Sequence, residues 1–112
     1  VNAHATGTIH GDIEEAKAIA ETFGRQVPVS SLKGHFGHTL AACGTLEVIS
    51  SIKMMETGLL IPTRNLTEVS PECSDIQHVS ETRPARLRTA LSNNFAFGGM
   101  NTSLVITAAG KN

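Results

Sequence analysis

The sequence predicts an α/β fold with a mixed sheet and a buried central helix. Short apolar segments that end in polar, histidine-bearing loops alternate with helical periodicity over the first half of the chain. The last quarter reads as two strands joined by an Asn- and Gly-rich stretch. Between these lies residues 30–47, where Lys33, His35 and His38 sit among Gly34, Gly37 and the small run Ala41-Ala42-Cys43-Gly44. That order is expected where a strand delivers polar groups to a site and a helix leaves it.

Val1-Asn2-Ala3 reads as the end of a strand, and residues 4–8 as the polar loop leaving it. Asp12 is the expected N-cap of a first helix, with Glu15 three residues on in a near capping-box arrangement. Ile13, Ala16, Ile19, Ala20 and Phe23 recur at helical spacing, and Gly24 is the expected stop. Residues 26–30 form a short strand. A second helix is expected from 37 or 38 to 57, stopped by Gly58. Residues 59–75, with Pro62 and Pro71, are a long connection of a kind uncommon in compact domains unless functional or stretched across a partner. Strands follow at 76–79, 87–91 and 102–107, with residues 92–101 as the turn between the last two.

The segment 39–52 is apolar on nearly every side, Glu47 being its one charge, and such a helix needs cover all round. A chain of 112 residues is one domain and buries only a modest fraction of its surface. The expectation is therefore part of a larger protein, or a chain that pairs with another subunit; Val1 without a preceding Met points the same way.

A net charge of −1 gives no electrostatic case for nucleic acid or an anionic membrane. Four Phe with no Trp or Tyr make poor stacking platforms for bases. No apolar run approaches the roughly 20 residues of a membrane span. Two cysteines are too few for a disulfide framework, so a reducing compartment, the cytoplasm, is expected.

In open α/β sheets ligands bind beyond the carboxyl ends of the strands. His4 and Lys33 each follow a strand, and His38 stands at the mouth of the second helix, whose positive end disfavours imidazolium. A neutral imidazole can donate an N–H to a carbonyl oxygen and stabilise an enolate as it forms. His4 and His38 together suit enolate chemistry, not phosphoryl transfer. Taken singly, His4 reads equally as structural, His38 as a packed or capping residue, and Lys33 as a surface lysine. His35 reads as a loop residue, and His10 and His78 as solvent-facing or structural. Glu47 lies about half a turn out of phase with His38 on the helix; it can pair with a buried Lys33 but does not share a face with His38. The histidines lack close ligand spacing and neither cysteine has a CxxC partner, so no metal site is expected. Cys43, among alanines in an apolar helix, is expected to be inert, and Cys73 has no activating neighbour. The chain thus offers bases and oxyanion donors without a nucleophile.

Three stretches resemble one family. Asn2-Ala3-His4-Ala5-Thr6-Gly7-Thr8, with Gly11-Asp12, is similar to the first histidine motif of β-ketoacyl-[acyl carrier protein] synthases. Lys33 through Gly37-His38, with Glu47, resembles their Lys-x-x-x-Gly-His motif. Asn94-Phe95-Ala96-Phe97-Gly98-Gly99-Met100-Asn101 resembles their C-terminal Asn-Ser-Phe-Gly-Phe-Gly-Gly-Thr-Asn loop. The resemblance spans nearly the whole chain. It implies a thiolase-like fold, of which this chain is most of the C-terminal half, with the nucleophilic cysteine in the N-terminal half. It implies condensation of an acyl thioester with malonyl-acyl carrier protein, in fatty acid or polyketide synthesis. The implied partners are acyl carrier protein, the N-terminal half and a second subunit in a homodimer. No cofactor or metal is implied. His4 and His38 become the catalytic pair with Lys33, and Glu47 supports them. Thr6 and Thr8 meet the phosphopantetheine arm, and Phe97, with Gly98 and Gly99, gates the site. Ala96 and Met100 depart from the family's Gly and Thr. Were position 96 to need a positive φ, Ala would cost about 1 kcal/mol or more. A non-catalytic ketosynthase-like chain-length partner is the alternative, and the residue at the nucleophile position of the missing half separates the two.

Overall fold

The computed structural model describes residues 1–110. Helix α1 spans Ile9–Phe23, α2 Lys33–Phe36 and α3 Cys43–Thr57. The strands are β1 (Pro28–Val29), β2 (Leu59–Leu60), β3 (Gln77–His78), β4 (Arg83–Pro84), β5 (Thr89–Ala96) and β6 (Met100–Thr107). β1 pairs in parallel with β3, β5 antiparallel with β6, and β2 antiparallel with β4 in a separate ribbon.

Asn2 joins the first two pieces through parallel bridges to Ser30 and Ser92. Its N–H donates to Leu91 O at 2.7 Å and its carbonyl accepts from Asn93 N–H, while Ala3 N–H donates to Ser30 O on the other side. The order is thus β6, β5, the Asn2 segment, β1, β3. The expected mixed sheet is present, with Val1-Asn2-Ala3 at its centre. Three parallel neighbours end on one edge, so His4, Lys33 and the end of β5 emerge together.

One core cluster lies between α1 and the sheet: Ala3, Ala16, Ile19, Val29 and Ile76. A second, formed by Leu32, Met54, Leu60 and Val79, packs α3 onto the β2 side. The connection 59–75 is tied down. Thr63 N–H donates to Val79 O, Thr63 Oγ1 accepts from Ser31 N–H, and the Arg25 guanidinium reaches Ser74 O. Gly34 makes this possible, because a Cβ there would stand 2.5 Å from Arg64 O.

The strand ends shift by one to five residues and β2 falls inside the expected 59–75 connection, and three larger differences bear on the site. α1 starts at Ile9, and Asp12 accepts from Thr6 and Gly7 N–H inside the first turn rather than capping the helix. The second helix does not run unbroken from 37 or 38. α2 ends at Phe36, a turn and a 3-10 segment at Leu40–Ala42 follow, and α3 begins at Cys43, with Leu40 at φ 52°. Gly58 does stop it. The region expected as a turn at 92–101 is mostly strand. Ala96 pairs with Met100, leaving only Phe97-Gly98-Gly99 in the loop, with both glycines at positive φ. Ala96 is not at positive φ, so its side chain carries no backbone strain.

No helix among the described residues is long and apolar enough to cross a membrane. The helix expected to need cover is indeed partly bare: Leu46, Ile49 and Ile52 are exposed on α3, as are Leu40 ahead of it and Leu104 and Val105 on β6. Apolar surface of this kind drives association at about 25 cal/mol per Å² buried. The isolated chain is expected to sediment as oligomers at tens of micromolar. A well-folded monomer at that concentration would show that this face tolerates water.

Candidate active site

His4 emerges from the central strand, and carboxylates from α1 fix its loop. Buried Glu15 accepts from His4 N–H at 2.9 Å, from Ala5 N–H at 2.8 Å and from Asn93 Nδ2 at 3.1 Å. Asp12 holds the next two amides, those of Thr6 and Gly7. Thr6 and Thr8 hydroxyls lie 3.2 Å apart.

His38 faces His4, with ring centroids 5.5 Å apart and planes at 87°. Phe95, at the end of β5, packs edge-on to His4 at 5.5 Å and 63°. His38 is not held by a helix terminus as expected, because α3 starts five residues later. Its Nδ1 instead accepts from Leu40 N–H at 3.2 Å, so a neutral His38 carries its proton on Nε2. His4 Nδ1 is buried without a partner among the described residues. Burial first, and then the Lys33 ammonium, pushes the His4 imidazole below its ordinary pKa of 6.5; Glu15 and Glu47 pull the other way and His38 adds to the depression. The neutral form is therefore favoured.

Lys33 and Glu47 form the expected buried ion pair, 8% and 0% exposed as residues. The same Glu47 oxygen accepts from the Cys43 thiol at 3.3 Å, and the other from Asn94 Nδ2 at 3.1 Å. Cys43 is thus buried and engaged, as its setting suggested.

These groups border an open cavity of about 1220 Å³. His4, His38, Thr6, Thr8, Asn94 and Phe97 all line it, and its apolar lining comes from α3, the segment before it, β5 and β6. Lys33 and Glu47 lie behind the wall, not in it. Phe97 projects fully into solvent, and Gly98 and Gly99 shape the hairpin turn without lining the cavity. His35 Nε2 donates to Pro62 O at 2.8 Å and His78 Nε2 to Cys73 O at 2.8 Å, since a carbonyl oxygen can only accept; His10 is exposed. Sequence reasoning passed over Glu15 as an anchor, and Asn93, Asn94 and Phe95 as site residues. Their signal was two polar side chains and an aromatic at the end of a strand that reads as a turn.

The arrangement can place two neutral N–H donors around one oxygen. Its fold is that of ketosynthases, the thiolase-like α/β class. A beta-ketoacyl synthase from Burkholderia phymatum STM815 superimposes with a TM-score of 0.92 at 49% identity, covering 96% of this chain and 27% of that one. A type II polyketide ketosynthase in complex with its acyl-carrier protein does so with a TM-score of 0.91 at 29% identity, over 97% of this chain and 28% of that one. In sequence, 3-oxoacyl-[acyl-carrier-protein] synthase 1 of Escherichia coli (strain K12) is 40% identical over 107 residues, 95% of this chain and 26% of that protein. Residues 1–67 match the family described as beta-ketoacyl synthase, C-terminal domain, and the chain belongs to that family. It spans about a quarter of the length of these relatives.

Two tests follow from the geometry. The His4 imidazole should titrate below 6.5 by NMR, and Lys33→Met should raise its midpoint by removing the neighbouring cation; a wild-type midpoint at or above 6.5 contradicts the account of its burial. Because folding depresses this pKa, the unfolded chain binds the proton more tightly. His4 therefore leaves stability untouched above pH 6.5 and erodes it as pH falls below. Lys33→Met alone strands a buried carboxylate and should destabilise by about 3–5 kcal/mol. The double variant Lys33→Met/Glu47→Leu should recover much of that loss in denaturant unfolding, and additive losses would mean the two charges do not interact.

Proposed function

We propose that this chain is the C-terminal part of a cytoplasmic two-half acyltransferase, a homodimer, that condenses an acyl thioester with malonyl-acyl carrier protein in fatty acid or polyketide synthesis. The perpendicular His4–His38 pair carries the reading. The carbonyl oxygen of the malonyl thioester sits between the two imidazoles. As the bond to the carboxylate breaks, CO₂ leaves, and the electron pair moves into an enolate whose oxygen accepts both N–H groups. The enolate carbon then attacks an acyl thioester on a cysteine of the other half, and that thiolate leaves as the new C–C bond forms. Cys43 cannot serve as that cysteine, since its thiol is buried against Glu47. The isolated chain should accept no acyl group.

Thr6 and Thr8, at the rim of the cavity, suit the amide-bearing phosphopantetheine arm of the carrier protein, and Phe97 stands where it can fold over the opening. The relative solved with its acyl-carrier protein supports that partner. Retention of both histidines beside the Lys33–Glu47 pair favours a working enzyme over a silent chain-length partner.

In the intact protein, His38→Ala should slow malonyl decarboxylation by about 10²–10³, the usual loss for one oxyanion donor. His35→Ala should cost far less, because its ring is spent on Pro62. Equal losses would mean that His38 is not the donor.

A further inference from the structure

Asn94 stands between the cavity and the buried ion pair. It lines the cavity, which Lys33 and Glu47 do not, yet its amide nitrogen reaches the Glu47 oxygen that Lys33 leaves free. The direction of that bond is fixed, since a carboxylate can only accept. Gly44, one turn before Glu47, packs beside the amide, and a Cβ there would stand at ordinary contact distance, 3.5 Å from Asn94 Nδ2.

We propose that Asn94 is a positioning residue for the reaction, holding the Glu47 carboxylate so that the Lys33 ammonium stays fixed behind the His4–His38 pair. Glu47 is fully buried, so its oxygens depend on donors from the protein. The first takes Lys33 and the Cys43 thiol, and the second takes Asn94. Without that donor the second oxygen is an unsatisfied buried anion, whose cheapest relief is rotation toward another donor or toward the cavity. Either motion draws Lys33 with it. The ammonium disfavours a proton on His4, and the neutral ring is the one that can donate to an enolate, so displacement of Lys33 is felt at the reacting oxygen.

The inference rests on the decarboxylating function proposed above, and malonyl decarboxylation by the intact protein tests it. Asn94→Ala should lower kcat about tenfold with KM little changed. Asn94→Asp places a second carboxylate against Glu47, and two such groups resist joint ionisation. Taking up a proton turns the introduced carboxyl group back into a donor toward Glu47. The ratio of Asn94→Asp to wild-type activity should therefore climb as pH falls from 8 to 6. A purely structural asparagine predicts a flat ratio. A flat or falling ratio, or an Asn94→Ala enzyme with wild-type kcat, overturns the proposal while leaving the decarboxylase reading intact. A wild-type protein that releases no CO₂ overturns both.

Discussion

A lysine and a glutamate are paired where water does not reach, and much of the site is arranged to make that tolerable. Removing two charges from water costs several kcal/mol for each ion, and their attraction offsets this only when the remaining hydrogen-bonding positions are filled. Here they are filled by groups from separate elements. Lys33 opens α2, Cys43 and Glu47 belong to α3, and Asn94 lies on β5. One carboxylate therefore binds the exit of β1, the central helix and the end of β5 into a single geometry. An ion pair of this kind adds little net stability, but it restricts the ways those three elements can sit together.

Glu15 plays the matching part on α1. It accepts two amides of the His4 loop and the Asn93 side chain. Neighbouring residues of a strand point to opposite faces of a sheet. Asn93 and Asn94 thus serve two carboxylates on two different helices, and Phe95 returns to the first face to meet the His4 ring. Three consecutive residues of β5 define where both helices and one catalytic candidate stand. The neighbouring parallel strand delivers His4 itself, so an error in β5 register would disturb the whole site and not one contact.

Much of this was legible in the sequence. The period of Ile13, Ala16, Ile19 and Phe23 marked α1, Gly24 and Gly58 marked helix ends, and a lone Glu47 in an apolar run left a buried Lys33 as one possible partner, which the family resemblance then implied. Strand-end logic placed His4 and Lys33 on one edge, whereas His38 was assigned to a helix mouth and lies instead in the turn between α2 and α3. What could not be read had tertiary causes. Residues 37–42 fall within the expected second helix, yet the chain breaks there, with Leu40 at φ 52° and its N–H donated to His38 Nδ1. Ser92-Asn93-Asn94 has turn composition, yet pairing with β6 and the hydrogen bonds its side chains give to two buried carboxylates keep it extended. Asp12 and Glu15 look like helix caps because capping and loop anchoring both ask a carboxylate to accept backbone N–H groups. Only the fold shows that the amides belong to the His4 loop.

The position of the bare apolar surface bears on the chemistry as well as on assembly. Val48 and Ile49 of α3 and Leu104 of β6 line the cavity that holds the histidines, and Ile49 and Leu104 are among the exposed apolar residues. Any element that covers α3 therefore also closes the cavity. Closure expels water and lowers the local dielectric, and an N–H aimed at a developing oxyanion is worth more there than in solvent. It also deepens the desolvation that already disfavours a proton on His4, which keeps that ring in its donating form. The apolar face that drives association and the wall that must be dry for enolate chemistry are one surface, so burial that completes the fold would also tune the site.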